Sequence, residues 1–425
     1  MLEIMQLSIE PLDQLERDLL DKISVQQHLR EQQLIELVEI NSGSHNPEGV
    51  NQVGLKYQEL FGPLCSKSER FELPKWERID YTGKAEHQAL GSLWKFSHNP
   101  DAPIQILFCG HTDTVFPVDS PFQHAIRLDH TRLNAPGAAD MKGGILVILS
   151  ALEALAQHPL AHQIGWNVIL NPDEEIGSPG SANYLAEAAK QHDIGLIYEP
   201  ALPDGNLAGK RKGSGNFTLV IHGRSAHAGR APETGRNAIN KAAELILQLA
   251  SLNNQKPGLT LNTGIIKAGE TTNKVPDLAV CKFNVRIQKT EDAEWCLERI
   301  NEFIQQHNQQ EGFHIELHGN FGRYPKQLDQ PHLALYQLVQ QCSEQLGTAL
   351  TWSATGGCCD GNNLSTAGLP NIDTLGVTGN FIHSPHEFIN LPSLSSRAQL
   401  SALLLFHIAR EGLPFKRLRP QGRPL

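Results

Sequence analysis

Cysteine is scarce and unpatterned in this chain of 425 residues: there are 7, an odd number, and none are spaced as C-x-x-C. That argues against a disulfide framework and against a thiolate zinc cluster, so Cys65, Cys109, Cys281, Cys296, Cys342, Cys358 and Cys359 read as free thiols in a reducing compartment. Long apolar runs are missing as well. The richest stretches, around Ile145–Leu149 and Leu403–Ile408, fall far short of the roughly 18 residues that a membrane helix needs. Basic charge is not in excess, since 36 Lys and Arg stand against 46 Asp and Glu for a net charge of −10, which argues against a nucleic-acid partner. No basic start followed by an apolar run is visible from Met1 to Asp21, so a cytoplasmic location is the default expectation. Internal repeats, heptads and low-complexity tracts are also absent. What remains is 40% apolar with 36 Gly and 25 Pro, the composition of a globular protein with many turns and, at this length, about two or three domains.

Periodicity predicts the organisation. Leu34, Leu37 and Val38 are spaced as on a helix, and after a break at Asn41-Ser-Gly-Ser44 the pattern resumes with Val50, Val53, Tyr57 and Leu60. Ile104–Cys109 reads as a strand buried on both faces of a parallel sheet. A helix after Met141, a strand at Trp166–Leu170, a helix from Ser181 to Gln191 and a strand at Gly195–Tyr198 continue an α/β alternation. Lys210, Arg211, Lys212, Gly213 and Gly215 then read as a basic, flexible, solvated joint, with the glycines at 209, 213 and 215 as hinge positions; the alternative is that Lys210 and Arg211 add positive charge for an acidic substrate side chain. Beyond it, strands at Phe217–Ile221, Thr260–Ile266, Val280–Ile287 and Phe313–Leu317 and helices at Asn237–Leu249 and Trp295–Phe303 follow the split βαβ order. Cys281, Phe283, Val285 and Ile287 alternate with polar residues, so Arg286 should lie on the face opposite the core. After about Arg323 the α/β pattern returns, with a helix from Leu333 to Leu346, a turn at Gly356-Gly357, a strand near Asn371–Leu375 and a helix after Leu394. The expected architecture is an α/β catalytic domain, residues 1–212 and 324–425, interrupted by a split-βαβ lid, residues 213–323, with the cleft between them.

Five places put acids or histidines at strand ends, where open α/β sheets gather ligands: His111-Thr-Asp113, Asp140, Glu174-Glu175, Glu199 and His383. Imidazole and carboxylate together suit Zn²⁺. Carboxylates converging without a cation would repel one another and take up protons. Charge favours two ions: Asp140, Glu175 and Glu199 supply three negative charges, two Zn²⁺ supply four positive ones, and one bridging hydroxide balances the sum. Two ions roughly 3.5–4 Å apart can share a nucleophilic water while one polarises a carbonyl. Glu174 and Glu175, pointing apart in an extended segment, can divide the work, one binding metal and the other moving protons.

His111-Thr-Asp-Thr-Val115, Gly137-Ala-Ala-Asp-Met-Lys-Gly-Gly144, Asp173-Glu-Glu-Ile-Gly-Ser178, Tyr198-Glu-Pro200, Ser225-Ala-His-Ala-Gly229 and His383-Ser384 stand in an order that resembles the zinc aminoacylase and carboxypeptidase family. That family includes acetylornithine deacetylase, succinyl-diaminopimelate desuccinylase and glutamate carboxypeptidase, and the likeness runs from the helix at Leu34 to the helix after Leu394. The resemblance implies a zinc-binding α/β domain with an inserted split-βαβ lid that also forms a homodimer contact. It implies that Asp140 bridges two Zn²⁺, with His111 and Glu199 on one ion and Glu175 and His383 on the other, sites that Co²⁺ or Mn²⁺ could also fill. Glu174 becomes the general acid/base, and Asp113 orients His111. His227 would reach the partner subunit's site and stabilise an oxyanion. Asn273 and Arg286 would hold a substrate carboxylate, beside a loop containing Gly356 and Gly357. Cys358 and Cys359 stand where relatives carry glycine, serine or threonine.

The activity expected is cleavage of an amide beside a free carboxylate, in an acyl-amino acid or short peptide, by a carboxypeptidase or N-acyl amino-acid deacylase. A dipeptidase and a non-catalytic metal-binding relative are the alternatives. The 19 histidines leave room for coincidence, and His45, His124, His158, His222 and His386 are read as structural. A cysteine nucleophile at Cys358-Cys359 paired with His383 or His386 is the rival chemistry; it has no use for the aligned carboxylates.

Overall fold

The computed structural model describes residues 10–415. Residues 1–9 and 416–425, which include the start of the stretch read for a leader and both ends of the expected catalytic domain, lie outside the described residues.

Six strands form the main sheet, in spatial order Lys67–Phe71, Leu93–His98, Ile164–Asn171, Ile104–His111, Ile194–Ile197 and Asn371–Ile372. The last four run parallel to one another, and the first two are antiparallel additions at one edge. Ile106, Leu107, Phe108 and Cys109 are all buried, as expected of a strand with helices on both faces. The helix Gly143–Leu155 is apolar on every side and buried throughout except at Glu153. It is sandwiched between this sheet and the long C-terminal helix Pro392–Glu411. Gly144 allows its close approach, because a Cβ there would lie 2.1 Å from the carbonyl oxygen of Tyr198.

The second unit has the expected β-α-β-β-α-β order. Its sheet runs Thr260–Ala268, Leu278–Ile287, Gly213–His222 and His314–Arg323, all antiparallel, with the helices Ala238–Ala250 and Glu291–Asn308 packed on the face that carries Phe217, Leu219, Cys281, Phe283 and Val285. Arg286 lies on the opposite face, half-buried. No helix among the described residues is long and apolar enough to cross a membrane, and all seven cysteines are free thiols.

Three local expectations need correction. The joint at Lys210–Gly215 is neither flexible nor solvated: Leu207–Arg211 and Gly213–His222 are strands. Arg211 N–H donates to the Lys326 carbonyl at 3.1 Å and Lys326 N–H returns the bond at 3.0 Å, so the segments entering and leaving the second unit are stitched together. Lys210 is exposed, but Arg211 is buried. Glycines 209, 213 and 215 sit inside these strands where a Cβ would crowd neighbouring side chains or, at Gly213, the Arg323 carbonyl as well. Glu174-Glu175 is not extended either, since residues 174–176 form a 3-10 turn after the buried Asp173. Finally, the helix Gln14–Val25 and the strands Lys67–Phe71 and Leu93–His98 were not expected.

Candidate metal and catalytic site

The adjacent parallel strands Ile164–Asn171, Ile104–His111 and Ile194–Ile197 all end on the same edge, and the residues just beyond them build the site. His111 closes the central strand. Glu174 and Glu175 lie in the turn that leaves Asn171 at the end of its neighbour, and Glu199 stands just past the third strand. The chain runs from the central strand to one side and then to the other, so the cluster lies where the winding of the sheet reverses.

Asp140 is the centre. One of its oxygens lies 3.2 Å from His111 Nε2 and the other 3.2 Å from His383 Nε2. His111 Nε2 is also 3.9 Å from Glu199 Oε1, and His383 Nε2 is 3.2 Å from Glu175 Oε2. His111, Asp140 and Glu199 form one group able to hold a cation, and Asp140, Glu175 and His383 form a second, sharing Asp140. His383 sits at positive φ, 62°, on an exposed loop; the other four are largely buried.

The donor set suits metal. His111 Nδ1 lies 3.0 Å from the Asp113 carbonyl, which can only accept, so a neutral His111 carries its proton on Nδ1 and turns the Nε2 lone pair toward Asp140. Lone pair facing carboxylate at 3.2 Å calls for a proton or a cation between them. Burial pushes His111 down, but the neighbouring carboxylates of Asp113, Asp140 and Glu199 outweigh it and its net shift is well upward. Burial, then the charge of Asp140, raises Glu175 to about 8, and burial with its carboxylate neighbours lifts Glu199 well above the usual range. His383 rises to about 11 through its bonds to Asp140 and Glu175. Asp140 is also buried, yet the two imidazoles hold it below the ordinary carboxylate range. Without metal the cluster therefore binds protons where metal would otherwise stand.

Supporting groups fix this geometry. The Asp113 carboxylate accepts from the backbone N–H of Glu174 and Glu175 at 3.1 and 3.2 Å and from Ser44 Oγ at 2.7 Å; it lies 3.4 Å from His111 Nδ1. Glu387, buried, accepts from the N–H groups of Gly137, Ala139 and Asp140 at 3.2, 2.9 and 3.2 Å. Lys142, also buried, donates to the Leu37 and Ile40 carbonyls at 3.0 and 2.9 Å, tying the Asp140 loop to the C-terminal end of the helix Gln27–Val38.

The Glu174 carboxylate is not in either of these two groups and lies 2.9 Å from Arg323 Nη2. Burial raises its pKa and Arg323 opposes that shift. The sequence reading missed Arg323, Asp360 and Glu387. Glu387 carried one signal, an acid four residues after His383; Arg323 and Asp360 carried none, because nothing local links them to Glu174.

The structure does not bring His227, Asn273 or the Gly356-Gly357 turn into hydrogen-bonding contact with the cluster among the described residues. His227 and Asn273 are exposed neighbours, on the short strand pair Ala226–His227 and Lys274–Val275 and the turn before it. His227 Nδ1 accepts from Gly229 N–H at 3.1 Å, leaving Nε2–H free to donate. Arg286 is held by Asn284 Oδ1 at 2.8 Å and lies 3.0 Å from Cys358 Sγ, which is itself 4.0 Å from Arg323 Nη1. Cys359 caps the helix Asp360–Thr366, and burial drives its thiol pKa well up. That disfavours a Cys359 nucleophile, and His383 is committed to Asp140 and Glu175.

Known proteins resemble this chain over most of its length. Residues 107–407 match the family described as Peptidase family M20/M25/M40. The chain is 30% identical over 311 residues to carboxypeptidase G2 of Pseudomonas sp. (strain RS-16), covering 71% of this chain and 74% of that protein. It is 28% identical over 344 residues to succinyl-diaminopimelate desuccinylase of Bordetella petrii, covering 75% and 87%. Among solved structures, an M20 family metallo-carboxypeptidase from Sulfolobus solfataricus superposes with a TM-score of 0.69 at 17% identity, covering 88% of this chain and 98% of that one. Human carnosine dipeptidase 1 gives 0.67 at 15%, covering 93% and 100%. At such identity the structural likeness speaks for the fold.

Proposed function

The chain belongs to peptidase family M20/M25/M40 and is a metal-dependent hydrolase, and from that premise we propose that it uses two Zn²⁺ to cleave an amide beside a free carboxylate, as a carboxypeptidase or N-acyl amino-acid deacylase. The observation that carries this reading is the pair of His/carboxylate groups sharing Asp140. His111, Asp140 and Glu199 would hold one ion and Glu175, Asp140 and His383 the other; Co²⁺ or Mn²⁺ would fit the same donors. Bound there, such ions would polarise the scissile carbonyl and acidify a water.

The residues of the chain divide the remaining work. Glu174, buried beside the cluster but turned to Arg323, would take a proton on its carboxylate and return it to the leaving amine. Asp113 keeps the His111 proton on Nδ1 through its carbonyl. Arg286 would bind the substrate carboxylate, with Asn273 and the Gly356-Gly357 turn completing that subsite. His227 would offer Nε2–H to the developing oxyanion of the partner subunit's site.

That last role requires a homodimer. The support is the sheet edge at Thr260–Ala268, where Ile265 and Ile266 are exposed, together with the exposed Ile239 and Leu247 of the helix Ala238–Ala250, which packs against that sheet. An exposed edge strand flanked by apolar side chains is a ready pairing surface. The division we adopt is a catalytic domain of residues 1–212 and 324–425 and a lid of residues 213–323, in an enzyme of the cytoplasm, where seven free thiols would remain reduced.

The test is chelation followed by zinc return, assayed on N-acyl amino acids and on peptides ending in glutamate. Activity should vanish and come back. Activity that survives thorough metal removal would refute the reading.

A further inference from the structure

Resting on the assignment of Glu174 as the proton-moving group, we propose that Arg323, with Asp360 as its counter-ion, is a positioning residue that sets the Glu174 carboxylate and is supplied by the lid. Arg323 ends the strand His314–Arg323 at one edge of the lid sheet, yet its guanidinium is buried in the catalytic domain. Nη2 lies 3.0 Å from the Glu174 carbonyl and 2.9 Å from Glu174 Oε1. The same nitrogen thus hydrogen-bonds the Glu174 backbone and stands in ion-pair contact with its carboxylate, a contact that restrains the turn and draws the carboxylate toward the guanidinium.

Asp360 anchors the guanidinium where it meets Glu174. Here Nη2 also lies 3.3 Å from Asp360 Oδ1 and 2.8 Å from Ser178 Oγ. Asp360 is held in turn by Asn171 Nδ2 at 2.8 Å and Asn363 Nδ2 at 2.9 Å. With a buried anion of its own, the Arg323 guanidinium is held in place beside Glu174. Glu174 follows a strand end of the α/β sheet whereas Arg323 comes from the lid, so the setting of the Glu174 carboxylate depends on a residue of the other unit.

The experiment compares Arg323→Lys and Arg323→Met with the wild type, zinc-loaded, on an N-acyl amino acid that the wild type hydrolyses. We expect kcat to fall about tenfold to a hundredfold, the scale of a mispositioned acid/base group, with KM within about threefold and metal content unchanged. In Arg323→Ala, added guanidinium ion should restore part of kcat. A rise in KM at unchanged kcat would make Arg323 a substrate contact, and unchanged kcat in both variants would also overturn the proposal. Should the methionine variant fail to fold, the lysine variant, which keeps the charge, carries the same readouts. Amide hydrogen exchange over residues 173–178 needs no turnover and should speed up in Arg323→Lys. If the wild type hydrolyses no substrate, the functional reading fails; unchanged exchange would then refute the positioning role by itself.

Discussion

Arg211 and Asp373 meet in a two-point ion pair inside the protein, with guanidinium Nε and Nη2 each 2.9 Å from a carboxylate oxygen. Lys326 Nζ lies 3.0 Å from the same carboxylate. Since Arg211 leads into the second unit and Lys326 leads out of it, Asp373, just past the main-sheet strand Asn371–Ile372, holds both crossings. Asp373→Ala would leave two buried cations without their anion, a loss of about 3–5 kcal/mol. Arg211→Met leaves Asp373 paired with Lys326 and should cost less. Urea unfolding of the two variants checks the order; equal losses would mean that the carboxylate is not shared.

Glu174 and Glu175 are sequence neighbours with different partners, Arg323 for one and His383 for the other. Glu174→Gln should lower turnover by at least about a hundredfold, the usual worth of a general acid/base, while zinc content stays at the wild-type level. Glu175→Gln should instead lose metal. Kinetics together with metal analysis separates the two, and the opposite pattern would exchange their roles.

The cluster and the fold were readable because their signals are local. A buried apolar strand ending in His111, or acids directly after other such strands, can be seen in a few residues, and the alternation of Cys281, Phe283, Val285 and Ile287 orients Arg286 without any partner. What was not readable depends on distant contacts. Lys210-Arg211-Lys212 has the composition of a solvated joint, and only Asp373, 162 positions away from Arg211, turns its centre inward. Arg323 likewise looks like a domain boundary until the fold sets it against Glu174. The strand Lys67–Phe71 escaped because edge position relaxes the apolar pattern on which strand recognition depends, whereas Leu93–His98, paired on both sides, alternates apolar and polar residues over too few positions to stand out.

Metal loading should release protons. In the metal-free protein Glu175 is raised to about 8 and His383 to about 11, so at pH 7 both carry protons that a cation must displace. Titrating zinc into metal-free protein in two buffers of different ionisation heat should reveal more than one proton released per chain at pH 7. Release should fall as pH rises past 8, once Glu175 is already ionised. Equal heats in the two buffers would mean that the donors await metal deprotonated.

His407, buried in the helix Pro392–Glu411, should govern part of the acid sensitivity. Its Nδ1 lies 3.0 Å from Arg410 Nη2, which can only donate, so the ring proton resides on Nε2 and is given to Gln345 Oε1 at 2.9 Å. Both ring nitrogens are thereby satisfied in the neutral form, and burial, then the Arg410 charge, lowers its pKa to about 4 from an ordinary value of about 6.5. Between those limits the unfolded chain binds a proton that the folded chain refuses, so stability falls as pH falls from about 6.5 to about 4, and below that the penalty is constant. His407→Gln removes the titration. With both proteins metal-free, so that loss of bound metal does not enter, the wild-type minus variant difference in unfolding free energy should be flat above pH 7 and decline toward pH 4. A difference that is independent of pH across that window would show that His407 is not the group responsible.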